Sequence, residues 1–294
     1  MLGCAALGNL LQSYSEEIRF LFGGISFLLF LLIMLKLILF PSAIKEDLNN
    51  PIMMSVAATF PMGMMLLSVY GKPFLGIIST IIWFVAIALH ILLICVFTYR
   101  FLRRLDLKKV FSSYFIVYVG IAAAGITAPA YGMAAIGTAA FWFGLVCLIG
   151  LLFMVGYRYI KHPDVPEPAR PLFCIFAAPA SLCLAAYIQS VPEKSAMTAI
   201  LLAVLATALY LLSLIRLPSL LKLPFYPSYA SFTFPFVISA ISIKQLMAYL
   251  AGMGYHVAFL SLIVLIETVI ATALVCYTFV RFIIFLFRPV KTVN

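Results

Sequence analysis

Ser231-Phe232-Thr233-Phe234-Pro235-Phe236-Val237-Ile238-Ser239-Ala240 decides how this chain is read. The stretch lies inside an apolar run long enough to cross a bilayer, where about 20 residues are needed. It nevertheless carries a proline, four small or hydroxyl residues and three phenylalanines. A proline inside a helix removes one backbone hydrogen bond and frees a carbonyl. Membrane helices tolerate that where a neighbour or a water-lined cavity satisfies the freed group. Thr59-Phe60-Pro61 repeats Thr233-Phe234-Pro235. Both are read as elements facing a pore.

Composition sets the class. Hydrophobic residues make up 66% of the chain and charged residues 10%, against roughly a quarter charged in soluble domains. Too little polar surface remains to cover a water-soluble fold, so the expectation is an all-α polytopic membrane protein, a single transmembrane domain over residues 1–294. The net charge of +10 does not indicate nucleic acid, because the basic residues sit in short loops between apolar runs. Cys4, Cys95, Cys147, Cys174, Cys183 and Cys276 all fall in apolar segments without a Cys-x-x-Cys pair, and read as packing thiols. No cofactor or metal is expected. The start has no basic region before its apolar residues and does not read as a signal peptide.

Ten apolar segments follow in order: 2–11, 18–40, 52–69, 76–97, 112–129, 132–155, 171–188, 196–215, 229–250 and 257–285. Fifteen of the 19 basic residues fall on one side. They include Arg100, Arg103, Arg104, Lys108 and Lys109 after the fourth segment, and Arg281, Arg288 and Lys291 at the end of the tenth. The positive-inside bias then places both termini in the cytoplasm, in a multi-pass protein of the cell membrane. Odd segments run outward and even ones return.

The two sets differ in kind. Even segments carry large residues, such as Phe27-Leu28-Leu29-Phe30-Leu31-Leu32, and suit lipid. Odd segments are rich in small ones, such as Gly120, Ala122, Ala123, Ala124 and Gly125, which allow close helix approach. Helix-breaking residues recur at Pro61, Gly120, Pro179 and Pro235, at intervals of 59, 59 and 56 residues. Counting back one more interval reaches the start of the chain, beside Gly3. The unit is a helix pair used five times, with a break in each outward helix. Parallel repeats about an axis along the membrane normal are an established transporter plan. Five broken helices around a central pore, ringed by five larger-residue helices, are expected. The first segment is short, about 17 Å of helix. Either it is natively short or the front of the first outward helix is missing; the register favours the second.

These residues resemble the tellurite-resistance/dicarboxylate transporter family, which includes bacterial tellurite-resistance membrane proteins, yeast malate and sulfite transporters and plant guard-cell slow anion channels. The resemblance is strongest at Phe232-Thr233-Phe234-Pro235 and Ala178-Pro179-Ala180-Ser181-Leu182-Cys183-Leu184-Ala185-Ala186-Tyr187. Leu2-Gly3-Cys4-Ala5-Ala6-Leu7 resembles the tail of the family's first helix. It implies five helical hairpins in quasi-fivefold array, a pore closed by a phenylalanine that falls on Phe234, and a homotrimer with one pore per subunit. Two departures stand out: the short first helix, and Gly120 where a proline is frequent.

An anion channel or transporter is therefore expected, not an enzyme: no paired carboxylates, metal-spaced histidines or nucleophile–base arrangement occupy the loops. Its partners are a small anion and the lipid bilayer. Expected pore-lining residues are Gly3, Thr59, Pro61, Gly120, Thr127, Pro179, Ser181, Thr233 and Pro235. Helix-break amides and the hydroxyls of Thr59, Thr127, Ser181 and Thr233 would supply partial positive charge. Phe234, with Phe60 second, is the expected gate, since an aromatic ring in a narrow apolar lumen excludes water; the plainer role is packing, as for most of the 26 phenylalanines. Two ionisable groups are embedded: Glu267 roughly 15 Å deep and Lys244 roughly 9 Å deep. Adjacent antiparallel helices would let them pair. They serve either as a structural pair, with a protonated glutamate at a subunit contact as the variant, or in proton coupling through Glu267. The alternative function is a proton-coupled carrier of four-carbon dicarboxylates such as malate, or of sulfite. His90 reads as a packed or interface histidine.

Overall fold

Glycine, proline and hydroxyl residues mark several of the helix starts and breaks. The computed structural model describes residues 1–287, and Arg288 and Lys291 lie outside them. Among the described residues the chain is helical throughout, with no strand. Nine stretches are long and apolar enough to cross a membrane, and a tenth apolar helix, α1 (Leu2–Leu11), is shorter.

Helix α2 (Glu16–Leu39) starts where the Ser15 side chain accepts from the Ile18 N–H, a hydroxyl N-cap. A short helix, α3 (Pro41–Asp47), follows. Helices α4 (Pro51–Ala57) and α5 (Thr59–Leu75) together form one span broken at Ala58. Asn50 caps α4 by accepting from the Ile52 and Met53 N–H groups. Helix α6 (Ile77–Phe97) returns and ends in a π-turn at Thr98–Leu102. The next span is the most fragmented. It runs through α7 (Tyr114–Tyr118), a 3-10 turn at Val119–Ala122, α8 (Ala123–Thr127) and a second 3-10 turn at Ala128–Tyr131. Helix α9 (Ala134–Lys161) is continuous. A 3-10 segment at Glu167–Ala177 leads into α10 (Pro179–Ser190), and α11 (Ala196–Leu221) returns. A last 3-10 segment, Pro227–Phe232, leads into α12 (Phe234–Gly252), and α13 (Ala258–Leu286) closes the described chain.

The breaks sit slightly before the residues expected to cause them. Pro179 is the first residue of α10, Pro235 the second of α12 and Pro61 the third of α5. In the first turn a proline gives up an N–H that has no intrahelical partner anyway, and its fixed φ suits the helix. These prolines therefore begin the outgoing half of each broken span instead of kinking its middle. Gly120 lies within the 3-10 turn at Val119–Ala122.

The spans divide into two populations. The broken ones bury 50 to 89% of their most apolar window, the continuous ones 11 to 39%. The inner elements touch in cyclic order: α1 packs on α5, α5 on α8, α8 on α10, α10 on α12, and α12 back on α1. Hydrogen bonds between neighbouring inner segments join residues about one interval apart. Tyr70 Oη donates to the Ala5 carbonyl, Ser55 meets Ser113, Ser112 Oγ donates to the Leu172 carbonyl, Ser231 Oγ to the Pro171 carbonyl and Ser190 Oγ to the Gly125 carbonyl, at separations of 58 to 65 residues. The contact that joins last to first is Lys244 Nζ donating to the Leu10 carbonyl at 3.0 Å, across 234 residues.

Freed backbone groups at the breaks are met from the outer helices. His90 on α6, fully buried, holds the Val117 carbonyl through Nε2 at 2.9 Å, just before the Val119–Ala122 turn. Because a carbonyl only accepts, Nε2 carries the proton there. Trp83 Nε1, on the same helix, donates to Thr127 Oγ1 at 2.8 Å.

Candidate functional site

Two cavities lie inside the ring of inner elements. The first, about 200 Å³, is lined by α1 at Gly3, the α4–α5 break at Thr59 and Phe60, the α7 break at Gly120, the α10 break at Pro179, and the α12 break at Thr233, Phe234 and Pro235. The second, about 260 Å³, is lined by the farther turns of the same five elements, including Ala6, Leu66, Thr127, Gln189 and Ile238. Phe234 and Leu182 line both. Neither cavity has an aspartate or glutamate on its wall, and the first has no charged side chain at all.

Phe234 is 8% exposed. It is the first residue of α12, placed where the 3-10 segment turns into α-helix. Its neighbours of like kind are otherwise engaged: Phe232 packs on Tyr229, and Phe236 meets Tyr210 edge-on. Among the described residues Phe234 itself has no aromatic partner. Phe60 lines only the first cavity, and its ring stacks on Phe30 of α2 at 5.7 Å. Gly3 permits a close approach, because a Cβ there would lie 2.6 Å from Thr233 Cβ and 3.2 Å from the Phe234 nitrogen.

Of the residues expected to line a pore, Gly3, Thr59, Gly120, Pro179, Thr233 and Pro235 line the first cavity and Thr127 the second. Pro61 and Ser181 are buried and line neither. The hydroxyls also differ from expectation. Thr59 donates to the Val56 carbonyl, Thr127 to the Ala123 carbonyl, Ser181 to the Ala177 carbonyl and Thr233 to the Ala230 carbonyl. Hydroxyls one turn after a freed or helical carbonyl prefer to bond back to it. Their protons are spent locally rather than pointed at a lumen.

The expected pairing of Lys244 with Glu267 is not formed. Lys244 Nζ donates to the Leu10 carbonyl and to Ser13 Oγ, on the loop after α1. Among the described residues the ion pairs are Arg19–Glu16, Lys36–Asp47 and Lys109–Asp106. Glu267 is 3% exposed and its Oε2 has no partner. Ser239 of α12 and Tyr210 of α11 are its polar neighbours. The lysine is the better satisfied of the two because carbonyls at the end of a helix are ready acceptors for a cation.

Residues 1–283 match the voltage-dependent anion channel family (SLAC1). The chain belongs to that family. It is accordingly a multi-pass membrane protein of a family of anion channels and transporters, with the slow anion channels and the malate and sulfite transporters among its members. No individual curated protein matches it. Among the described residues no group of three or more His, Cys, Asp or Glu is placed to hold a metal ion. Asn9, Gln12, Gln189 and Gln245, all on the wall of the second cavity, went unremarked in the sequence, and Arg19, on the same wall, entered there only through the charge bias. They lie in or just beyond four different apolar segments, and only the fold brings them together.

Proposed function

We propose that this member of the voltage-dependent anion channel family passes small anions along the axis enclosed by its five inner segments, with Phe234 closing the path. The observation that carries the reading is that two cavities, each lined by all five segments, share Phe234 and Leu182 on their walls. An ion cannot cross a constriction that water has left. Gly3, Thr59, Gly120, Pro179, Thr233 and Pro235 line the approach on one side and Thr127 that on the other, while Pro61 and Ser181 hold the inner segments from behind. Phe60, held by Phe30, is a wall rather than the gate. The proposal also takes in the five-hairpin plan, a homotrimer, and both termini on the cytoplasmic side of the cell membrane, the side where the basic loops gather. Flux into liposomes holding the purified protein, with chloride, nitrate, malate and sulfite in turn, tests it. Uptake of at least one anion above protein-free liposomes is expected; none for all four refutes it.

A second reading rests on Glu267. A carboxyl buried in α13, with one oxygen unpartnered and Ser239 of α12 beside it, is suited to take up and release a proton. Since α12 also carries Phe234, this reading couples the path to a proton, and the family's malate and sulfite transporters make four-carbon dicarboxylates or sulfite its substrates. Under an imposed pH gradient this reading expects Glu267→Gln to lose the gradient-driven part of uptake. Equal gradient dependence in variant and wild type leaves only a structural role for Glu267.

A further inference from the structure

Off the central axis, on the side where the basic loops gather, a cleft of about 640 Å³ opens between the loop joining α3 to α4 and the far end of α6. Its charged wall residues are Glu46 and Asp47 on one flank, and Arg100, Arg104, Asp106 and Lys109 on the other. Pairing removes part of this charge. Lys36 holds Asp47 at 3.2 Å, and Lys109 holds Asp106 at 3.5 Å. Three charges are left over. Among the described residues Glu46 and Arg104 form no ion pair. Arg100 meets only neutral oxygens, the Leu48 carbonyl and Asn49 Oδ1, both at 3.4 Å from Nη1.

Tyr114 lines the same cleft and is 2% exposed. Its ring is fixed edge-on against Phe97 at 4.8 Å, and Asp106 of the cleft wall is within electrostatic reach of it. Among the described residues its hydroxyl has no partner, yet it is not one of the unmet atoms sealed inside the protein, so it opens to the cleft. Native structures seldom leave a polar group on so buried a side chain unmet. The cleft also touches the bilayer edge. Met53 on its wall, and Tyr99 and Leu105 beside the two arginines, are exposed side chains with apolar bodies. A ligand here meets charge of both signs on one part and hydrocarbon on another.

We propose that this cleft binds the phosphoethanolamine headgroup of a phospholipid in the adjoining leaflet. The proposal needs nothing from the conduction reading. The guanidinium forks of Arg100 and Arg104 match phosphate oxygens, and Tyr114 Oη is a further donor to them. Glu46 accepts from the ammonium. The unpaired charges choose this headgroup over its competitors. A phosphate without an ammonium is repelled by Glu46, and a simple cation is repelled by the two arginines. Choline carries the positive charge but has no N–H to donate. The volume falls within the usual range for small-ligand sites. Asn50, on the same wall, caps α4, so an occupied cleft braces the start of a broken inner span.

Native mass spectrometry of the purified protein tests this, in micelles holding equal amounts of phosphatidylethanolamine and phosphatidylcholine with matched acyl chains. Retained ethanolamine lipid is expected to exceed choline lipid about three- to fivefold, the scale of one exposed charge interaction. Glu46→Gln is expected to bring that ratio close to one. Arg104→Gln is expected to weaken retention of both lipids. Arg103→Gln is expected to leave both alone, because that guanidinium lies over Tyr99 and off the cleft wall. Equal retention of the two lipids by the wild type overturns the site, as does a preference for phosphatidylglycerol over phosphatidylethanolamine in a second pair. A loss in Arg103→Gln as large as in Arg104→Gln overturns the cleft in favour of general surface charge. Full displacement of the lipid by soluble phosphoethanolamine at matched concentration overturns a lipid as the source of the headgroup.

Discussion

The span at Glu167–Ser190 and the helix at Glu16–Leu39 have equal length and both are strongly apolar, yet 89% of one window is buried and 11% of the other. What separates them is side-chain size and backbone regularity. The first is Ala- and Pro-rich, begins as a 3-10 segment and restarts at Pro179. The second is a single helix of Phe, Leu and Ile. Small side chains let backbones approach until freed carbonyls find partners on the next segment. Large ones satisfy only lipid. The inner set owes its position to close backbone contact and to hydroxyl bonds between segments, the outer set to greasy cover.

That contrast is broken or sharpened most strongly by glycine replacements. A Cβ on Gly125 of α8 would lie 2.7 Å from Ala186 Cβ and 3.1 Å from the Gly137 carbonyl, whereas one on Gly150 of α9 meets nothing within 4 Å. Gly125→Leu is expected to cost about 3 kcal/mol, the upper part of the overpacking range. Gly150→Leu should change stability by no more than ~1 kcal/mol, the scale of the intrinsic helix preference. Denaturation of the purified protein in micelles compares them, and equal losses would remove the distinction between the two sets.

The hydroxyls come next. Ser112→Ala leaves the buried Leu172 carbonyl without the 2.6 Å bond it now accepts, a loss of about 1–2 kcal/mol. Ser219→Ala on the exposed side of α11, where the hydroxyl bonds only back to Arg216, is expected to stay within ~0.5 kcal/mol. The same unfolding measurement reads both.

Much of this was legible in the chain. Hydropathy marks the spans, and the pairing of small with large segments is in the composition of each. Pro61, Pro179, Pro235 and Gly120 point to the breaks within a few residues. The offset arises because a proline opens a helix more readily than it bends one, which the residue alone does not reveal. The site was less legible. Phe234 stands out by its repeated context, but the backward bonding of Thr59, Thr127, Ser181 and Thr233 depends on local carbonyls. Lys244 goes to Leu10 and Ser13, a partner 234 residues away and out of reach of any local rule. Arg19, Asn9, Gln189 and Gln245 are ordinary in isolation and share a cavity wall only once four segments meet.

The central claim is that the inner ring encloses a path and that Phe234 stops it. Anion conductance of purified Phe234→Ala in planar bilayers tests this most directly, with Phe153→Ala, a phenylalanine 75% exposed on α9, as the comparison. The account predicts a large rise in anion current for Phe234→Ala and none for Phe153→Ala. Wild-type current from well-folded Phe234→Ala, or equal change in the two variants, would contradict it.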